Sequence, residues 1–175
     1  MADYYLTSYQ AEQPLPTCRE AGVRKTVYGS VTPSAALTTS DNVYMFRVPA
    51  NHRVVALEVY TADADSGSTV TVNIGTQASG STFDDADAFC ALNTDIIRSN
   101  ALQRLPVASG AVANTTAPAT WYTNSTPTVD YDVVLTLGAG PATSAGLIAA
   151  RIFYTKEITT LWDATDSPSV VAGTQ

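Results

Sequence analysis

Apolar and polar residues alternate along much of this chain with a period of two, a pattern typical of β-strands whose two faces meet different surroundings. Segment 54–75 shows the alternation most clearly, and a polar, turn-forming loop separates its two halves. The segment is therefore predicted to form a β-hairpin. In the first half, one face is formed by Val55, Leu57 and Val59. In the second half, the inward residues are Val70, Val72 and Ile74.

The same alternation predicts further strands over 23–32, 43–48, about 102–107, 128–137 and 147–155. In the segment 43–48 it assigns Tyr44, Phe46 and Val48 to the apolar face. A Gly-rich turn separates the last two segments and predicts a second hairpin. The predicted fold class is therefore all-β, an antiparallel β-sandwich.

One segment breaks the period of two. Between Thr82 and Ile97 the apolar residues recur at intervals of three and four, and aspartates crowd the start, where a helix dipole favours negative charge. One short helix is predicted here, with Thr82 as its N-cap. The residues on its apolar face are Phe83, Ala86, Phe89 and Cys90, and the aspartates of its first turn are Asp84, Asp85 and Asp87.

Both ends of the chain lack a sustained period. The predicted organisation is an N-terminal arm over 1–22, a β-sandwich domain over 23–156 and a C-terminal tail over 157–175. Each extended arm can pack on its own domain or on a neighbouring molecule, and the sequence leaves both placements open. Aromatic and large apolar side chains contribute much of the contact energy at interfaces. The candidate interface residues are Tyr4, Tyr5, Tyr9, Leu161 and Trp162.

Charge and composition narrow the class of function. The 175 residues include 9 Lys and Arg against 16 Asp and Glu, which gives a net charge of -7. Such a charge gives no electrostatic attraction to a phosphate backbone, so the sequence predicts no direct nucleic-acid binding. No stretch approaches the roughly 18 apolar residues of a membrane helix, and no basic, apolar signal segment begins the chain. The sequence thus predicts no membrane role and a protein used inside a cell or released by lysis.

The acidic loop at Asp63 and Asp65 resembles the first half of an EF-hand. Gly67, Ser68 and Ile74 occupy its fifth, sixth and twelfth positions, where the motif requires other residue types, so an EF-hand is excluded. A looser Ca²⁺ site at the two aspartates stays open beside the ordinary use of Asp in turns. No metal or other cofactor is predicted.

Other reactive residue types are isolated. The single histidine, His52, and the two cysteines, Cys18 and Cys90, have no partners at metal-binding or catalytic spacing, and structural roles are predicted for all three. Asp130 and Asp132 lie two residues apart on a predicted strand, roughly 6 to 7 Å, which is within the range of glycosidase carboxylates. Any strand with this spacing shows the same separation, so the sequence predicts no enzyme.

Several motifs together resemble the small jelly-roll decoration or cement proteins of tailed bacteriophage heads. The likeness covers about residues 54–155. It depends on three features: an Asp-rich loop, a Thr-Phe pair and a closing strand that ends in an aromatic residue. The residues that carry it are Asp63, Asp65, Gly67, Gly75, Thr82, Phe83, Ala142, Thr143, Gly146 and Tyr154. The resemblance implies a jelly-roll-like sandwich on the capsid exterior, often trimeric.

Two functions from different classes follow. The first is a structural virion protein that is assembled in the host cytoplasm and binds the major capsid protein and neighbouring copies, as a homotrimer. The alternative is a carbohydrate-binding module of a phage head or tail fibre, since sandwich loops with exposed aromatic and acidic residues commonly hold sugars. A polysaccharide-degrading enzyme that uses Asp130 and Asp132 is a weaker third.

Overall fold

The computed structural model describes residues 2–9, 14–17, 23–62, 70–78, 85–93, 96–97, 100, 102–106 and 128–156. Within them the chain forms nine strands, and none of these residues is helical, so none belongs to a helix long and apolar enough to cross a membrane. The strands are β1 (Asp3–Tyr5), β2 (Arg24–Val31), β3 (Asn42–Val48), β4 (His52–Thr61), β5 (Thr71–Gln77), β6 (Asp85–Asn93), β7 (Leu102–Pro106), β8 (Tyr131–Ala139) and β9 (Ile148–Lys156).

The strands form two sheets that enclose one apolar core. The five-stranded sheet has the order β1-β3-β8-β5-β6, and the four-stranded sheet has the order β2-β9-β4-β7. Every pairing is antiparallel except that of β1 with β3. Without β1, each sheet holds four strands, and the chain changes sheet at nearly every connection, as in a jelly roll. The predicted all-β, jelly-roll-like sandwich is confirmed.

The two predicted hairpins are wrong, although their strands are correct. Strands β4 and β5 lie in opposite sheets, and so do β8 and β9. Alternation identifies a strand and its buried face but says nothing about its partner. Hairpin loops usually have two to five residues, whereas these connections span residues 62–70 and 140–147. Each connection leads from one sheet to the other.

The predicted short helix is also wrong, because strand β6 occupies Asp85–Asn93. Two irregularities in the β5–β6 ladder disturb the period of two, and Phe89, Cys90 and Ala91 are buried in succession. A run of buried residues beside an irregular register imitates the spacing of a helix face. Gly75 permits this approach, because a Cβ there would collide with the β6 backbone at Asp85 and Ala86.

Bulges also explain which faces are buried. The predicted inward residues of β5, Val72 and Ile74, are buried, and every second residue from Tyr131 to Leu137 in β8 and from Ile148 to Tyr154 in β9 is buried as well. In β4 the register shifts between Val54 and Ala56, so that Val54 joins Leu57 in the core and Val55 is only partly buried. A second shift between Tyr44 and Phe46 buries Met45 and leaves Tyr44 on the outer face. One extra residue in a strand reverses the side that its neighbours face.

Candidate functional site

The N-terminal arm follows the open edge of the sandwich and contacts both sheets. Strand β1 pairs in parallel with β3, and its ladder continues where Leu6 N donates to Tyr44 O at 3.0 Å. The next amide, Thr7 N, donates to Ser30 O of β2 in the other sheet, also at 3.0 Å. Leu6 inserts between these contacts and is only 1% exposed. The described part of the arm therefore lies against its own domain and links the two sheet edges.

An acidic side chain fixes the start of the arm. Asp41 Oδ1 accepts a hydrogen bond from Ala2 N at 2.6 Å, and Oδ2 accepts from Thr38 N at 2.9 Å and from Thr38 Oγ1 at 2.8 Å. These donors stabilise the ionised carboxylate, the Thr38 amide most of all, and hold the pKa of Asp41 below its ordinary value. Asp41 thus ties the arm to the loop before β3.

A second segment of the arm, residues 14–17, crosses the same domain. Leu15 is buried, and its N–H donates to Arg47 O at 2.7 Å. The Tyr154 hydroxyl donates to Pro16 O at 2.7 Å, and Lys25 Nζ donates to Thr17 O at 2.6 Å. The two described parts of the arm, residues 2–9 and 14–17, therefore both contact the sandwich.

Three tyrosines stack where the arm meets the outer face of the five-stranded sheet. The ring centroids of Tyr5 and Tyr44 are 5.2 Å apart, those of Tyr5 and Tyr9 are 5.3 Å apart, and those of Tyr9 and Tyr44 are 5.5 Å apart. A hydrogen bond of 2.8 Å from Tyr9 N to Leu6 O turns the chain so that Tyr9 returns to the stack. We call Tyr5, Tyr9 and Tyr44 the tyrosine cluster. Tyr5 is 47% exposed, so the cluster offers a fixed aromatic surface.

A charged pair borders the tyrosine cluster. Arg47 Nη1 lies 3.9 Å from Asp132 Oδ2, and both side chains adjoin Tyr9. Burial, and then the negative charge of Asp132, raise the pKa of Tyr9 to about 12. Burial also raises the pKa of Asp132, against the opposing effect of Arg47. The phenol therefore stays protonated at neutral pH and can act as a hydrogen-bond donor.

The structure places the three predicted interface residues that it describes on two different faces of the arm. It brings Tyr5 and Tyr9 together on the surface and directs Tyr4 to the opposite face of β1, where it packs against the core. Leu161 and Trp162 lie outside the described residues. Sequence reasoning missed Tyr44 and Arg47, because the bulge at Met45 changes the face on which Tyr44 lies.

The other candidate groups hold the fold together. His52 is buried, with Nδ1 2.9 Å from Ala50 O, while its carbonyl accepts the Tyr131 hydroxyl at 3.1 Å. Asp130 Oδ1 accepts a hydrogen bond from Ala50 N at 2.8 Å, so this carboxylate anchors a turn and is not aimed at a cleft. These contacts support the structural role predicted for the histidine.

The cysteine and metal predictions fall partly within the described residues. Cys90 is a buried free thiol, as expected, and Cys18 lies outside the described residues. The loop with Asp63 and Asp65 also lies outside them, as do Thr82, Phe83 and Asp84. Among the residues that the structure does describe, no group of three or more His, Cys, Asp or Glu side chains could hold a metal ion.

Two solved structures resemble this fold over nearly the whole chain. A chain in the capsid of Ralstonia phage GP4 is 20% identical with a TM-score of 0.64, and the alignment covers 90% of the present chain and 99% of that one. A chain in the capsid asymmetric unit of cyanophage Pam1 is 20% identical with a TM-score of 0.52, with coverage of 85% and 97%. Neither a protein-family model nor a curated protein matches the sequence. At these identities the likeness establishes a shared fold.

Proposed function

We propose that this chain is a structural, non-enzymatic protein of a tailed-bacteriophage virion that decorates or cements the outside of the capsid. The observation that carries the proposal is the likeness to chains from two phage capsid structures. Fold alone does not determine function, and jelly rolls serve as capsid and lectin domains alike. A match that spans almost all of both chains nevertheless relates this protein to a complete capsid component.

The extent of the match also supports an accessory role. Because the alignment covers 99% and 97% of the two capsid chains, each is of about the same size as this protein. A single small sandwich suits a subunit that binds a shell built by another protein. We therefore propose the major capsid protein as its principal partner and neighbouring copies, in a homotrimer, as the second.

Charge supports an outer position. The net charge of -7 would be repelled by packaged DNA, whereas a small acidic domain is well tolerated on the solvent side of a shell. The proposed location is therefore the capsid exterior, reached after assembly in the host cytoplasm.

The tyrosine cluster supplies a suitable contact surface. Its rings are held by stacking and by the docked arm, so little side-chain entropy remains to be lost on binding. Tyrosine is among the residues that most often dominate binding energy. We propose that Tyr5 and Tyr9, with Tyr44 behind them, contact the shell, while Tyr4 secures β1 from the core side.

Quantitative mass spectrometry of purified virions tests the proposed function. The expected result is a copy number comparable to that of the major capsid protein. Isolated protein should also bind shells that lack it, and Tyr5→Ala should weaken this binding at least about tenfold. Leu147→Ala, which trims another partly exposed apolar side chain away from the cluster, serves as the control. If the chain is missing from virions and does not bind shells, the proposal is wrong.

A carbohydrate-binding module is the second candidate, and the exposed tyrosine cluster beside Arg47 and Asp132 favours it. Aromatic faces with adjacent polar groups suit a sugar ring and its hydroxyls. A glycan array separates the two functions. Binding that Tyr5→Ala abolishes, together with only a few copies per virion, would replace the decoration role by sugar recognition.

A further inference from the structure

A groove lies on the outer face of the four-stranded sheet, on the side of the molecule away from the tyrosine cluster. Its volume is ≈ 260 Å³. The side chains at its rim are strongly exposed, with Tyr28 at 62% and Leu102 at 59%. The lining residues are Tyr28, Glu58, Tyr60, Leu102, Ala149, Ala150 and Arg151.

The groove arises from a small residue between large ones. Ala149 of β9 pairs with Ser30 on one side and with Tyr60 on the other, so the centre of the sheet surface is low. Tyr60 forms a fixed wall, because its hydroxyl donates to Asn100 Oδ1 at 2.6 Å. Leu102 of β7 is the partner of Tyr60 and extends that wall. This surface is a preformed depression that needs no rearrangement to accept a side chain.

The charged residues of the lining neutralise each other. Arg151 Nε donates to Glu58 Oε2 at 2.8 Å, Arg151 Nη2 reaches the same oxygen, and the guanidinium also lies 5.2 Å from the Phe153 ring centroid. A charged ligand group would have to compete with this internal pair. The groove therefore suits a large apolar side chain.

We propose that the groove binds Trp162 in the C-terminal tail of a second copy of this chain. The tail places Ile158, Leu161 and Trp162 within six residues of the end of β9, the strand that forms the groove floor. Asp163 follows the tryptophan, and Arg104, whose strand partner is Glu58, projects from the same outer face as the groove. An indole in the groove with an acidic neighbour near Arg104 is complementary in shape and charge.

Chain length decides between the same copy and another. Ala149 lies seven residues before Lys156 on β9, which is about 24 Å along an extended strand. Trp162 lies six residues after Lys156, and at least two of these are needed to reverse direction, so the remaining four reach about 14 Å. The backbone of Trp162 therefore falls about 10 Å short of Ala149, the floor of the groove, in its own chain. A neighbouring copy has no such restriction.

The contact is directional, because the tail of one copy meets the groove of the next. Head-to-tail contacts of this kind close into rings when the rotation allows it, so the proposal deepens the proposed self-association and rests on it. One tryptophan buries about 150 to 250 Å², far less than a complete stable interface. Trp162 would thus anchor a larger contact between copies.

Sedimentation velocity of the full-length protein over a concentration series tests the contact. We expect Trp162→Ala to weaken self-association at least about tenfold. Ala149→Trp, which fills the groove from its floor, should weaken it by a similar factor. Combining the two should add little, because both remove one contact. Trp162→Phe and Thr26→Trp, the latter at an exposed position on β2 beside the groove, are controls that should remain close to the parent protein.

Cross-linking identifies the chains involved. In a Cys18→Ser background, Leu102→Cys is placed on one tagged copy and Asp163→Cys on a differently tagged copy. Oxidation should join the two tags, whereas Thr26→Cys in place of Leu102→Cys should not. Unchanged association of Trp162→Ala, full additivity, or no disulfide between the two tags would each overturn the proposal. Decoration of shells by a monomer would overturn this inference alone, whereas self-association through the groove without shell binding would refute only the proposed function.

Discussion

Replacing Leu6 by alanine should loosen the whole N-terminal arm. Leu6 is 1% exposed and belongs to the main core, although it lies outside every strand. Truncation of a buried leucine to alanine typically destabilises a protein by about 2 to 5 kcal/mol, depending on how far the site can collapse. We expect a loss near the middle of that range, because the residue lies between two sheet edges that are fixed by their own ladders.

The hydrogen bonds of the arm determine whether the loss of stability releases the arm alone or unfolds the whole domain. In the described parts of the arm, four backbone hydrogen bonds beyond residues 3–5 of β1 join the arm to the domain, with donors Leu6, Thr7, Leu15 and Asn42. At about 0.5 to 1.5 kcal/mol each, they contribute roughly 2 to 6 kcal/mol in total. This sum is close to the expected loss from Leu6→Ala. The arm should therefore detach before the sandwich unfolds.

Two measurements check this reasoning. In chemical denaturation the free energy of unfolding should fall by about 3 kcal/mol, which corresponds to a decrease in Tm of roughly 6 to 12 °C for a chain of this size. Limited proteolysis should cut the arm while the rest of the domain stays resistant. Thr17→Ala, an exposed substitution in the same arm, should change the stability by less than about 0.5 kcal/mol. If Leu6→Ala behaved like Thr17→Ala, Leu6 would not be an anchor of the arm.

Gly75→Ala should destabilise the protein by about 1 to 3 kcal/mol or more, because the added Cβ would collide with the β6 backbone; thermal unfolding measures the loss, and a parent-like Tm would contradict the close approach. Asp41→Ala should cost about 1 kcal/mol at neutral pH. Since the folded-state pKa of Asp41 is lowered, this contribution is present above its ordinary value of 3.8 and is lost as pH falls through the folded-state pKa, so denaturation curves of parent and variant should converge in acid. Asp132 has a raised folded-state pKa, so its effect has the opposite sign: its favourable contribution is complete below 3.8 and is lost as pH rises through the folded-state pKa. Asp132→Asn should accordingly gain stability relative to the parent over that pH rise, and a constant difference would show that burial does not govern this carboxyl.

The sequence predicts the strands of this fold better than their partners. Alternation predicts seven of the nine described strands and the buried residues of β5, because these strands keep a largely regular period. It could not reveal the crossings after β4 and β8, since pairing depends on contacts between distant segments. In β6, close packing against Gly75 and an irregular ladder outweighed an apparently helical spacing.

The candidate surface was predictable in part for the same reason. Tyrosines near the start of the chain indicated an aromatic contact region, and Tyr5 and Tyr9 do lie together. Their third partner could not be identified, because a single bulge residue decides the face of Tyr44. The groove above Ala149 was also invisible in the sequence, because it forms between residues of four strands that are far apart along the chain.

The placement of β8 and β9 has a consequence for how the protein is made. Each is an interior strand of its sheet, with β3 and β5 on either side of β8 and with β2 and β4 on either side of β9. Among the described strands, five of the seven pairings involve β8, β9 or β7, so a growing chain on the ribosome has few partners for its early strands. Folds dominated by such distant pairings acquire their structure in roughly milliseconds to seconds rather than microseconds. Synthesis should therefore be almost complete before either sheet can close, and until then the unpaired early strands depend on dilution or on chaperones to avoid aggregation.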